Sequence, residues 1–315
     1  MRRQMAILLI LALALPGYPL HAATAASNSD AAVGRWDITL QTPNGAAPSW
    51  LEIRRSGFNS MVGQFVGIVG SARPISQIEL KEGELSFAIP AQWEGGTGLL
   101  SFQGRVQGDG MTGSLTFPDS KRHPLTAVRA PSLRKPEHAN IQWGEPIHLF
   151  NGKDLTGWHA QGESHWKAID GVLRNTKGAG ANLVSERKFS DFKLHVELRL
   201  PAGSNSGVYL RGRYEVQVAD YLGEPAIDGL GAVYGFIAPS EDAGKGADQW
   251  QTLDITLVGR RITVVVNDKP VISDQEIPGI TGGALDSNEG EPGPLLLQGD
   301  HGVVEFRNLI LTPAQ

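Results

Sequence analysis

Apolar and polar residues alternate along most of this chain with a period of two, the signature of half-buried β-strands. From Val33 to about Ala130 the runs GRWDITL, SWLEIRR, MVGQFVGIVG, ISQIEL, ELSFAIP, LLSFQGRV and MTGSLTF are broken by Asn44-Gly45, Glu82-Gly83, Gly95-Gly96 and Gly108-Asp109-Gly110. Short strands at regular spacing with Gly-rich breaks predict a small antiparallel barrel or sandwich over residues 31–130. Residues 131–145 carry Pro and charge with no apolar period, and are expected to be an interdomain linker and the first site of limited proteolysis. A second strand series occupies residues 146–315: ANLVSER, FKLHVELRL, GVYLR, YEVQV, WQTLDITLVG, RITVVVN, GPLLLQ and VVEFRNLIL. In FKLHVELRL, Leu194, Val196, Leu198 and Leu200 alternate with Lys193, His195, Glu197 and Arg199. One buried and one wet face is the pattern of two antiparallel sheets packed as a sandwich, so the expected class is all-β in both halves.

The stretch Ser204–Val218, SNSGVYLRGRYEVQV, reads as two strands around a bend at Gly212. Alternation places Tyr209 and Arg211 opposite Val208 and Leu210, and Glu215 and Gln217 opposite Val216 and Val218. With the aliphatic residues in a core, Arg211, Glu215 and Gln217 are expected to emerge together on the other surface. A forked donor, a carboxylate and an amide flanked by aromatic rings suit a polyhydroxylated ligand. An Arg–Glu cross-strand pair of purely structural value is the alternative reading of the same residues.

The chain has 28 Lys and Arg against 33 Asp and Glu, a net charge of −5, and no clustered basic surface of the kind that binds nucleic acid. It has no Cys, which removes disulfides, thiolate metal sites and cysteine nucleophiles. Residues 1–25 read as a cleaved signal peptide: two Arg within Met1–Gln4, an apolar run Ala6–Leu15 closed by Pro16, Gly17 and Pro19, and small residues at Ala23-Thr24-Ala25. The processed protein is therefore expected to be periplasmic or secreted, with no membrane-spanning segment and no lipid-attachment Cys. His123, in the charged run KRH, is read as solvated; His148, His159, His165 and His195 have no ligand spacing. Trp50, Trp93 and Phe102 are candidates for a sugar platform, with packing as the commoner use of such residues.

From residue 147 onward a family likeness is carried by LFNGKDLTGW, the W-x-x-x-DGVL of Trp166–Leu173, LVSERKFSDFKLHVELRL, NSGVYLR, YEVQV, GPLLLQGDHG and EFRNLIL, in that order. The chain here resembles the 3-keto-disaccharide hydrolase family, which implies a concanavalin-like jelly-roll sandwich. The resemblance also implies action on glycosides whose C3 hydroxyl has been oxidised to a ketone, and hence an upstream glycoside 3-oxidoreductase as a functional partner. A C3 ketone acidifies the C2 proton, so a base can remove it, the C1 substituent departs by elimination, and water adds afterwards for net hydrolysis. On this reading Glu215 is the base, Arg211 or a bound metal the electrophile, and His301 the acid or a metal ligand. Asn205, Gln217, Tyr234, Trp250, Gln298 and Asp300 are the expected substrate contacts. Gln251 stands where the family often has Asn, which bears on a polar contact expected near the site, and Asn267-Asp268 replaces a common Asn-Gly turn.

Asp300 and His301 form a carboxylate–imidazole pair of the type that binds a divalent cation, the one cofactor this sequence raises. Neighbours in an extended chain point oppositely, so both can ligate only where Gly299 turns the backbone. Two other functions use the same sandwich: a non-catalytic lectin and a structural adhesion module. Glu215 and His301 sharing one cavity separates the enzyme from both.

Overall fold

The computed structural model describes residues 30–58, 60–133, 141–220, 223 and 226–315. The expected signal peptide and the middle of the expected linker lie outside the described residues. Strands β1 (Gly34–Thr42), β2 (Gly45–Ser56), β3 (Ser60–Val66), β4 (Arg73–Lys81), β5 (Glu84–Pro90), β6 (Leu99–Gln107), β7 (Gly110–Thr116) and β8 (Arg122–Arg129) pair in sequence order, and β1–β8 pairing closes them into a barrel. Of the two architectures open for this half, the barrel is the one formed. Its interior is filled by alternate residues, including Trp36, Ile38, Leu51, Phe65, Phe87 and Phe102, with the Phe87 and Phe102 rings stacked at 4.8 Å. His123 is buried against the Phe117 ring at 4.5 Å, not solvated, because β8 begins at Arg122 and carries it inward.

The second half comprises β9 (Ile147–His148), β10 (Trp158–Ala160), β11 (Trp166–Ile169), β12 (Val172–Asn175), β13 (Leu183–Phe189), β14 (Phe192–Arg199), β15 (Asn205–Leu210), β16 (Tyr214–Ala219), β17 (Gln251–Val258), β18 (Arg261–Val266), β19 (Lys269–Glu276), β20 (Gly293–Leu297) and β21 (Val304–Pro313). They form a five-stranded sheet in the order β10-β13-β20-β15-β16, facing an eight-stranded sheet, β11-β12-β21-β14-β17-β18-β19 with β9 on β21. All recorded pairings within these sheets are antiparallel, as in a jelly-roll sandwich. Leu194, Val196 and Leu198 of the larger sheet meet Val208, Val216, Val218 and Leu297 of the smaller in one core. Asn267 and Asp268 both take positive φ, 49° and 67°, and make the tight β18–β19 turn without a glycine.

The two halves are packed together by residues on the barrel's outer surface. Strand alternation sends Leu51 and Phe65 inward and their neighbours Trp50 and Val66 outward, and both outward residues are fully buried in the sandwich's core cluster. Trp50 meets the Phe236 ring edge-on at 5.4 Å, and a Cβ at Gly279 would lie 2.1 Å from its Nε1. Trp50 is thus a packing residue and not a sugar platform. Asp37, also outward, is pushed up to about 9 by burial and by neighbouring Glu289, so it is a neutral acid at this seam. Arg35 reaches Glu276 at 2.6 Å, and Thr39 meets Ser287 at 2.9 Å.

Because Trp50 belongs to one domain's backbone and the other's core, Trp50→Ala should cost about 3–5 kcal/mol. Calorimetry should record the loss as one lowered transition involving both domains. A wild-type thermogram with two independent transitions would contradict this coupling.

Candidate active site

The β15–β16 hairpin sorts its side chains by register. Tyr209 pairs with Glu215 and Gly207 with Gln217, so these four share the face of the five-stranded sheet that points away from the sandwich core. Tyr209 packs there with Val184 and Leu296, apart from the inter-sheet core. Arg211 does not join them. It adopts φ 52° in the turn, which swings its guanidinium back into the interior, where Nη2 donates to Tyr214 Oη (2.8 Å) and to the Gly259 carbonyl (3.2 Å). The expectation that Arg211 emerges beside Glu215 is corrected by this left-handed residue, which breaks the alternation one position beyond the strand. Tyr214 in turn donates to Glu289 Oε1 at 2.7 Å, and Arg260 pairs with Glu289 Oε2 at 2.9 Å. Arg211 is therefore part of the buried network at the domain seam.

A cavity of about 460 Å³ opens on the outward face of the hairpin. The sandwich lines it with Tyr209, Glu215, Gln217, Asn205, Gln298, Asp300 and His301, and with Asn182, Asp228, Tyr234 and the Gly282-Gly283 turn. The barrel supplies the remaining wall, Val69, Gly70 and Trp93. The barrel segment after β3 is wedged against the sandwich: Gly283 N donates to Ile68 O at 2.8 Å, and a Cβ at Gly282 would stand 2.3 Å from Gly70 O. A larger cleft of about 600 Å³ at the seam is lined by Arg35, Arg129, Arg260 and Arg261. Each of those guanidiniums already has a carboxylate partner, Glu52 and Glu276, Asp109, Glu289 and Asp274 respectively.

Glu215 is buried at the floor of the smaller cavity. Its carboxylate lies across Gly207, where a Cβ would come within 2.2 Å of Oε1 and 3.0 Å of Cγ, so only glycine at 207 leaves room for it. Tyr209 Oη donates to Glu215 Oε2 at 2.8 Å, with the Gly282 carbonyl 3.0 Å away as its other acceptor. Burial pushes the Glu215 carboxyl up to about 8, opposed by the Tyr209 hydrogen bond and the nearby His301, and assisted by Asp300. A guanidinium beside it would have acted in the opposite direction; turning Arg211 away keeps the group basic.

His301 lies in the β20–β21 loop. Asn175, fully buried, holds that loop by donating through Nδ2 to the carbonyls of Gly299 and Gly302, both at 2.9 Å. Within it, His301 Nδ1 and Asp300 Oδ1 are 2.6 Å apart, and this hydrogen bond raises the imidazole above its ordinary value. Nε2 is then the nitrogen left for a ligand. Among the described residues no three His, Asp or Glu side chains converge as a cation site requires, and Asp300 is engaged with His301. Asp300 and His301 form a hydrogen-bonded acid–base pair.

Hydroxyl-binding groups surround these two. Gln217 Nε2 donates to Asn205 Oδ1 at 3.1 Å and Gly299 N to Asn182 Oδ1 at 2.9 Å, so Asn205 and Asn182 each retain their NH₂ groups for a ligand. Gln298 Oε1 is buried and has no hydrogen-bond partner among the described residues, an acceptor that a ligand hydroxyl would satisfy. Trp250 is not in this cavity: it lies on the outer side of the eight-stranded sheet with Arg307 and Arg199 at 3.8 Å and 4.8 Å from its ring. Gln251 is equally remote, its side chain accepting from Lys245 N and Asn267 Nδ2 and donating to Gly246 O, so it clamps a loop rather than contacting the site. Asn182, Asp228, Val69 and Gly70 are site residues that the sequence does not single out, whereas Tyr209 stands on the face that alternation assigns it and Trp93 lines the cavity as one of the candidate aromatic residues.

Burial of an ionisable Glu215 has a stability signature. Since its pKa rises from 4.5 to about 8 on folding, the folded state resists ionisation, and the protein should lose stability as pH climbs through that window. Glu215→Gln removes the liability, so its Tm should match wild type near pH 4 and exceed it by on the order of a few °C at pH 8–9. A wild type more stable than the variant at pH 9 would mean that a cation neutralises the carboxylate.

Residues 145–312 match a protein family described as 3-keto-alpha-glucoside-1,2-lyase-like domain. A 3-keto-disaccharide hydrolase of Bacteroides thetaiotaomicron is 30% identical over 97 residues, covering 27% of this chain and 32% of the relative, so the match spans about a third of that relative's length. Among solved structures, a candidate glycosyl hydrolase from Parabacteroides distasonis aligns with a TM-score of 0.44 at 24% identity, over 56% of this chain and 92% of that one. Carbohydrate-binding module CBM66 of Bacillus subtilis aligns with a TM-score of 0.35 at 16% identity, over 49% and 94%.

Proposed function

This chain belongs to the 3-keto-alpha-glucoside-1,2-lyase-like domain family, and on that premise we propose that its cavity cleaves glycosides carrying a ketone at C3, with Glu215 as the base that removes the C2 proton. The observation that supports this reading most is a buried carboxylate, raised to about 8, sharing a cavity with a histidine whose second nitrogen is free to donate. Desolvation makes the ionised carboxylate a strong enough base for a proton already acidified by the ketone. The electrons of the C2–H bond move onto the ketone oxygen. On this reading the amide donors of Asn182 and Asn205, which line the cavity, receive that charge. Return of the electrons forms the C1–C2 double bond and breaks the C1–O bond, and His301 Nε2–H protonates the departing oxygen. Water then adds its oxygen to C1, losing a proton to His301, while Glu215 returns its proton to C2. The sum is hydrolysis, with both groups restored.

A lectin would bind the same sugars, but it has no use for a buried carboxylate opposite a hydrogen donor. The ketone must come from an oxidoreductase acting at C3 of the glycoside, and the Arg-flanked apolar run at the N-terminus supports export to the periplasm or medium, where both enzymes would meet their substrate.

Glu215→Gln should lower turnover of a 3-keto-glucoside by on the order of 10²- to 10⁴-fold with substrate still bound. Because the base must be ionised, the acid limb of wild-type kcat/KM should fall off below about pH 8 and vanish in the variant. Product analysis on the keto-glucoside and its non-oxidised parent tests the substrate class: the parent should be inert, and its turnover at a similar rate would refute the mechanism.

A further inference from the structure

The family match begins at residue 145, so the whole barrel lies outside it, yet the barrel forms one wall of the cavity. On that wall Trp93 is 66% exposed. An indole left open to water is unusual, and here the loop bearing it is built to hold it. Arg73 and Glu94, both nearly inaccessible at their side chains, pair at 2.5 Å beneath the loop. Glu94 Oε2 accepts the backbone N–H groups of Gln92 (2.8 Å) and Trp93 (3.1 Å). Gln92 is tied to Ser71 twice, donating to Oγ at 3.0 Å and accepting from N at 3.1 Å. Gly70 completes the seat: a Cβ there would lie 2.6 Å from Trp93 Cδ1, so the indole edge rests directly on the backbone.

The wall's composition indicates what it faces. Groups able to grip the hydroxyls of the reacting ring, Asn205, Gln217 and Gln298, all belong to the sandwich and surround Glu215. The barrel's lining residues, Val69, Gly70 and Trp93, include no amide and no charge. An indole face packs on the C–H face of a sugar or on an aromatic ring without requiring a particular hydroxyl pattern.

We propose that Trp93 is the stacking platform for the ring that leaves with the glycosidic oxygen, which makes the barrel the element selecting glycosides with a ring-shaped leaving group over those with a small alkyl one. This rests on the reading of the cavity as a 3-keto-glycoside-cleaving site.

The test compares full-length wild type, Trp93→Ala and Trp93→Phe on a 3-keto-disaccharide and on methyl 3-keto-glucoside. Trp93→Ala should lose about 10-fold more kcat/KM on the disaccharide than on the methyl glycoside, chiefly through KM, and Trp93→Phe should recover most of the difference. An equal loss on both substrates, or none, overturns the proposal. Calorimetric titration of the same variants with the non-oxidised disaccharide separates this proposal from the catalytic reading. If wild type turns over neither keto substrate, the catalytic reading fails. Weaker disaccharide binding in Trp93→Ala would still support the platform, and unchanged binding would overturn it.

Discussion

A sheet packed into a sandwich by one face leaves the other face to water unless something covers it, and the chemistry of this protein depends on that cover. The five-stranded sheet meets the eight-stranded sheet through Val208, Val216 and Leu297, and presents Tyr209, Glu215 and Gln217 on the far side. The sandwich's own Gly282-Gly283 turn lies against Tyr209, and the barrel segment after β3 packs on that turn, so that Val69, Gly70 and Trp93 complete the wall of the cavity. Covering the face withdraws water from Glu215, and water withdrawal is what raises its affinity for a proton.

The same cover would be self-defeating if a cation were enclosed with the carboxylate, because a close guanidinium stabilises the ionised form. Arg211 is four residues from Glu215 and would be that cation if the strand continued. One left-handed residue at the turn directs it instead to Tyr214, which links through Glu289 to Arg260 and lies near neutral Asp37 from the barrel. The hairpin thus carries two functions on two faces. Glu215 faces the cavity, and Arg211 helps to satisfy the polar groups buried where the domains meet.

Alternation in the sequence is enough to place Glu215 and Gln217 on one face and to recognise two β-rich halves, since period-two patterning is local and the strands obey it. It fails at Arg211, where a single φ breaks the period, and at His123, where a charged tripeptide opens a strand rather than sitting in a loop. Trp250 and Gln251 look like site residues by type, but they stand on the sheet that faces away, a distinction only the crossover order of the strands makes. Alternation also puts Tyr209 on that face, and the hairpin register makes Glu215 its cross-strand partner. The barrel's share of the cavity was the least legible part. It depends on which outward residues of one domain, Trp50 and Val66, are buried by the other, and no periodicity encodes that.

We propose that C2–H cleavage by Glu215 starts the reaction, and a comparison of 3-keto-glucosides carrying hydrogen or deuterium at C2 tests it directly. A normal primary isotope effect on kcat/KM is expected, because removal of the C2 hydrogen precedes departure of the C1 substituent. A kcat/KM identical for the two isotopologues, with no solvent deuterium entering C2 of the product in D₂O at initial rates, would mean that the glycosidic bond breaks without proton removal.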